Sequence, residues 1–212
     1  MEKITKKKVL KEISEWVICA IIAYIIYLII NYFLGTISGV KQASMYPTCK
    51  EGERVVISRR IISKPELKYG EIITFESPIY IANSETSSDD NIADYPEYKG
   101  VTKFAYKVMG IGKRSYIKRV IATEGQKIYI SEDGKVYVDD KLLEETYLRD
   151  SVKTERIGNY YDLTVPKGTI FVMGDNREES ADSRVFGCVP VDKVEGNVKC
   201  RVWPLTRVGK IK

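Results

Sequence analysis

The hydrophobic positions fall into one long run and a series of short ones. Residues 16–34 carry no charged side chain, and Asn31 is the one strongly polar residue among them. As a helix this run would span roughly 29 Å, enough for a bilayer core. It has almost no polar face, which separates it from a buried core helix. Trp16, Tyr32 and Phe33 sit near its ends, as an aromatic belt would. Beyond it the apolar runs are short, rich in β-branched and aromatic residues, and separated by Gly, Pro, Asp and Asn. This pattern predicts strands over 55–57, 72–75, 116–122, 127–130, 135–138, 161–165, 169–173 and 198–203. Asp133-Gly134 is a hairpin signal. Residues 141–159 are polar without a clear period, and a loop is expected from Gly174 to Gly187. The polar run from Asn83 to Asn91 marks residues 77–100 as a surface excursion, with extra length reaching 113. The expected architecture is a mainly β domain over 35–212 behind one N-terminal transmembrane helix over 16–34, preceded by a basic tail over 1–15.

Charge orients that helix. Lys3, Lys6, Lys7, Lys8 and Lys11 precede the apolar run, whereas Lys41 is the only base in the fifteen residues after it. The positive-inside rule then places residues 1–15 in the cytoplasm and the domain outside. A cleaved signal peptide, cut near 35–38, is the alternative, although its apolar region would exceed the usual length. Much of the net charge of +5 comes from this basic tail. No basic–aromatic pattern argues for nucleic acid. Cys19 lies within the apolar run, where packing explains it. Cys49, Cys188 and Cys200 lie outside, so at most one disulfide can form among them, with Cys188–Cys200 one option.

The chain has no histidine. A Ser-His-Asp or Cys-His site within one chain is thereby excluded, as is a histidine-ligated zinc, and no paired CxxC offers a thiolate one. Ser44, in Ala43-Ser44-Met45-Tyr46-Pro47-Thr48, follows the apolar run by about ten residues. If it is a nucleophile, its base must be another residue, and a desolvated lysine is the natural candidate. Lys118 lies in an apolar strand between Ile117 and Val120-Ile121, with Arg119 directed to the opposite face. Taken singly, each feature has a plainer explanation. Ser-x-x-Pro is usually a turn, a strand lysine is usually solvated, and Gly174-Asp175-Asn176 is a common kind of loop. Asp182 and Arg184 alone would read as a surface pair of little worth. Their conjunction beside an apolar segment, without histidine, favours the functional reading.

In this order, Ser44-Met45-Tyr46-Pro47-Thr48, Lys118-Arg119-Val120-Ile121 and the block from Gly174 through Asp175-Asn176-Arg177 and Ser180-Ala181-Asp182-Ser183-Arg184 to Gly187 resemble the bacterial type I signal peptidases. Weaker matches at 52–56, 70–75 and 165–168 extend the resemblance over nearly the whole chain except 77–113. It implies a membrane-anchored serine endopeptidase with an extracytoplasmic β-rich catalytic domain, acting on signal peptides of exported preproteins at the lipid bilayer and needing no metal or cofactor. It also implies small side chains at substrate positions −1 and −3. By motif match Ser44 is the nucleophile, Lys118 the general base, Ser180 a serine that helps orient the lysine, and Asp182 with Arg184 a supporting charged pair. Gln42 stands where related enzymes have Gly or Ser, which leaves the second oxyanion donor open beside the Ser44 N–H. Cys49 and Gln126 are further departures. A Ser/Lys protease for another substrate, and a catalytically idle relative, are the rival readings.

Overall fold

The expected strands form, and their residues show why. A computed structural model describes residues 6–33, 35–59, 66–79, 91–100, 102, 114–150 and 152–211. Its first element is helix α1 (Lys6–Phe33), whose side chains from Lys8 to Tyr27 are all exposed. The expected membrane span falls only partly on described side chains, those of residues 28–34 lying outside them. Among the described residues no helix is long and apolar enough to cross a membrane.

The strands follow as β1 (Thr36–Gly39), β2 (Arg54–Arg59), β3 (Ile72–Glu76), β4 (Ser115–Thr123), β5 (Lys127–Ile130), β6 (Val136–Val138) and β7 (Lys141–Leu142). They continue as β8 (Asp162–Thr164), β9 (Thr169–Met173), β10 (Val189–Pro190), β11 (Val194–Trp203) and β12 (Gly209–Lys210). One antiparallel sheet runs β1-β2-β11-β3-β4-β9-β10, with β12 pairing β11, and a second runs β7-β6-β5-β8. The predicted Asp133-Gly134 hairpin sets Ile130 opposite Val136. Asp139 and Asp140, both at positive φ, turn β6 into the short β7, as a tight hairpin requires.

Strands β4 and β9 run through the middle of the molecule, and alternate residues face different cores. Val120, Ile170 and Val172 pack with Ile73, Phe75 and Phe186, whereas Ile121, Phe171 and Met173 pack with Ile128, Ile130 and Leu163 of the second sheet. A third cluster, Val40, Met45, Cys49, Val55, Ile57, Ile72 and Val198, lies beside β1, β2 and β11. Two-sided burial explains why β3 and β9 read as continuous apolar runs rather than alternating ones.

The loop expected from Gly174 to Gly187 instead contains a short helix, α2 (Ser183–Phe186). The Asp182 carboxylate caps it by accepting from Arg184 N, and Gly187 at φ 86° ends it. Only the base of the 77–113 excursion is described. There Ile79 N donates to Asp94 O, Ala93 N donates to Cys188 O, and Ala93 is buried against Phe75 and Phe186. Residues 80–90 and 103–113 lie outside the described ones. All four cysteines are free, so the Cys188–Cys200 option is not taken up. Cys19 is exposed on α1, contrary to a packing role within the chain.

Candidate active site

Ser44 sits in a single helical turn, Ala43–Met45, entered from the extended backbone of Gln42. Met45 is fully buried in the third core cluster and pins the turn from below. From the other side the Gly174–Ser180 loop holds it, with Asn176 N donating to Ser44 O at 3.0 Å and Asn176 Nδ2 to Ala43 O at 3.3 Å. Gly174 is indispensable to this fit. A Cβ there would stand 2.4 Å from Ser44 O and 2.2 Å from Ser180 Oγ. Sequence reasoning placed Gly174 and Asn176 in a motif but assigned neither a role. Their signal was their position at the end of β9, facing a turn far away in sequence.

Lys118, on β4, brings its Nζ to 2.7 Å from Ser44 Oγ. The two residues are 74 apart in sequence and both are buried. Lys118 pairs with Ile73 of β3, and its Nζ lies over the Tyr116 ring, 5.3 Å from the centroid. No carboxylate forms an ion pair with it among the described residues. Burial therefore dominates and pulls its pKa down from 10.5 to about 8, against the opposing pull of Asp182 and with help from Arg184. An amine so placed is neutral in an appreciable fraction near neutral pH and can accept a proton from Ser44 Oγ.

Asp182 and Arg184 form a fully buried, two-pronged pair at 2.9 Å on both arms. Burial alone would raise the Asp182 pKa, but Arg184 and the Gly174 N–H, donating at 3.0 Å, hold it below the ordinary value. Arg184 also donates to Arg177 O, so the pair braces the loop on which Gly174 lies. Ser180 is buried beside Gly174 and Ser44. Among the described residues its Oγ meets no hydrogen-bond partner of good geometry, Lys118 included, although it stands near enough to Asp182 to favour the ionised carboxylate. The structure thus brings Ser44 and Lys118 into contact, sets Asp182 with Arg184 behind them, and leaves Ser180 adjacent but without a well-aligned partner among the described residues.

A second charged layer escaped the sequence reading. Arg119 points away from Lys118 and grips Asp175 through Nε at 2.9 Å and Nη2 at 2.7 Å. Asp175 also accepts from Thr48 Oγ1, four residues after Ser44, and Arg119 stacks on the Tyr147 ring at 3.9 Å. Arg177 is held by Glu145 and Thr154, both from the stretch that showed no clear period. Cys49, beside this layer, has its thiol pushed up to about 11 by burial, and Cys188 to about 12, so neither is a ready thiolate.

The Ser44–Lys118 pair opens on a cleft lined also by Lys41, Gln42, Glu51, Tyr116 and Glu179. A buried serine–lysine contact at the foot of a surface cleft can perform acyl transfer. Comparison with known proteins gives the class. Residues 13–203 match the family described as signal peptidase, peptidase S26. Signal peptidase IB of Staphylococcus aureus (strain COL) is 31% identical over 211 residues, covering 92% of each chain. The chloroplastic thylakoidal processing peptidase 1 of Arabidopsis thaliana is 30% identical over 203 residues, 95% of this chain and 52% of its own. A crystal structure of a signal peptidase I from Enterococcus faecalis V583 aligns at 26% identity over 62% of this chain and 96% of its own, with a TM-score of 0.39. The chain belongs to the signal peptidase family, peptidase S26. It is accordingly a serine peptidase of the kind that removes signal peptides.

Proposed function

We propose that the chain removes N-terminal signal peptides from exported preproteins with Ser44 as nucleophile and Lys118 as general base. The observation that carries this is the 2.7 Å contact between Lys118 Nζ and Ser44 Oγ at the foot of the cleft. The neutral Lys118 amine takes the Ser44 proton as Oγ attacks the carbonyl carbon preceding the scissile bond. It then returns that proton to the departing amine, leaving an ester on Ser44. Water, deprotonated by the same amine, hydrolyses the ester and restores Ser44. The Ser44 N–H is one donor to the oxyanion. The Gln42 carboxamide lines the same cleft and does not cap the turn it precedes, which makes it the side-chain candidate for the second. Asp182 and Arg184 hold the Gly174 loop against the Ser44 turn. The Ser180 hydroxyl, beside that turn and without a well-aligned partner among the described residues, is available to orient Lys118 when the amine is charged. Small substrate side chains at −1 and −3 belong to the same reading.

The reading also places the chain in the cell membrane, with a single α1 span, the N-terminus cytoplasmic and the β domain outside. Helix α1 continues through the uncharged run as far as Phe33, and Trp16, Ile21, Ile22 and Ile25 all stand exposed on it. Strand β1 begins three residues after α1, Ile37 and Trp203 are exposed apolar side chains of the sheet it starts, and Leu205 is exposed in the helical turn just after β11. Such a surface suits a domain resting at a lipid interface. Two experiments test the proposal. Cleavage of a preprotein by the wild type, lost in Ser44→Ala, supports the reaction, and equal cleavage by the variant refutes it. Protease added to intact spheroplasts should digest the β domain, and full protection of that domain refutes the orientation.

A further inference from the structure

Four glutamates lie in the two loops that meet at Ser44, and they divide cleanly. Glu53 is buried and bound by Arg201 and Arg207, and Glu178 pairs with Arg149 at 3.2 Å. Neither lines the cleft. Glu51 and Glu179 both line it, both are exposed, and neither forms an ion pair among the described residues. Glu179 accepts one bond, from the neutral Asn176 Nδ2 at 3.2 Å, and so keeps its charge uncompensated. Of these four, the two without an ion pair among the described residues are those that line the cleft with Ser44.

The cations of the cleft do not cancel them in the reactive state. Lys41 and Lys118 are the two basic groups lining it. Lys118 must be neutral to take the Ser44 proton, so the competent cleft holds two carboxylates against the one ammonium of Lys41. An extended substrate advances about 3.3 Å per residue, so side chains within two residues of the scissile bond come within reach of the rim.

We propose that Glu51 and Glu179 make the cleft select preproteins bearing a lysine or arginine beside the scissile bond over those bearing an acidic residue there. The inference rests on the signal-peptidase reading and adds to it a preference in charge. Solvent screens both carboxylates, so the preference is moderate, about fivefold or more at low salt, and weakens as ionic strength rises.

The test uses the full-length protein in detergent with peptides carrying Ala at −1 and −3. A single Lys, Gln or Glu is placed at −2, +1 or +2. In the wild type, kcat/KM for Lys should exceed that for Glu at least fivefold in at least one position, with Gln between. In Glu51→Gln/Glu179→Gln that ratio should fall by half or more, whereas Glu178→Gln, off the cleft and paired with Arg149, should retain it. A ratio under fivefold at every position overturns the proposal, as does one that falls by less than half in the double variant. If the Gln peptides are not cleaved at all, the signal-peptidase reading fails and takes this inference with it, an outcome distinct from cleavage without charge preference.

Discussion

The two faces of β4 treat buried positive charge in opposite ways. Arg119 faces a bidentate carboxylate, a backbone carbonyl of Gly70 and an aromatic ring, so its charge is fully compensated. Lys118, one residue earlier, faces a serine hydroxyl and a tyrosine ring and has no ion-pair partner among the described residues. The strand's alternation produces this division without any special backbone. A compensated guanidinium stays charged and serves as a brace. An uncompensated ammonium gives up its proton and becomes chemically available. Adjacent basic residues thus divide into structure and chemistry according to what each face supplies.

The comparison is broken most sharply by exchanging the two kinds of cation. Lys118→Arg keeps the charge but cannot deprotonate, and it should lower kcat/KM on a preprotein by about a thousandfold or more. Circular dichroism should show the fold retained. A folded variant with more than a tenth of wild-type activity would mean that Lys118 is not the base. On the other face, Asp175→Asn removes the counterion of a buried guanidinium and should cost about 3 kcal/mol in denaturant unfolding. Its activity should fall as well, since Asp175 also holds Thr48 near Ser44.

A smaller effect separates the faces by pH. Because the folded-state pKa of Lys118 lies near 8, below the ordinary 10.5, the unfolded chain binds more protons between these values. The Lys118 contribution therefore makes stability rise as pH climbs from about 8 toward 10.5, and Lys118→Met should remove that part of the slope. Urea midpoints measured across this range check it. The smallest change belongs to an exposed pair. Lys127 and Asp162 stand 3.7 Å apart and are about half exposed, so Lys127→Gln should alter stability by no more than about 0.5 kcal/mol.

Much of this was legible in the sequence because it depended on local pattern. The β-branched runs marked β2 to β6, β8, β9 and the end of β11, whereas β7 fell in the polar stretch without a period, and alternation alone separated Lys118 from Arg119. What the sequence concealed depends on contacts across the fold. The counterion of Arg119 is Asp175, 56 residues away, and that of Arg177 is Glu145, in a stretch with no usable period. The helix α2 was hidden because it has only four residues and is held by the buried Asp182 cap rather than by an amphipathic face. Ser180 was placed in the right neighbourhood, but no motif could specify that its hydroxyl stands without a well-aligned partner among the described residues.

The central claim is that the neutral form of Lys118 drives the reaction, and the pH dependence of kcat/KM tests it most directly. That profile reports the ionisation of the free enzyme. With burial setting the Lys118 pKa at about 8, the rate on an uncharged-site peptide should climb with pH, reach half its limit near 8 and level off above. A rate that stays flat from pH 6 to 9, or one that climbs only toward the ordinary lysine value of 10.5, would contradict it.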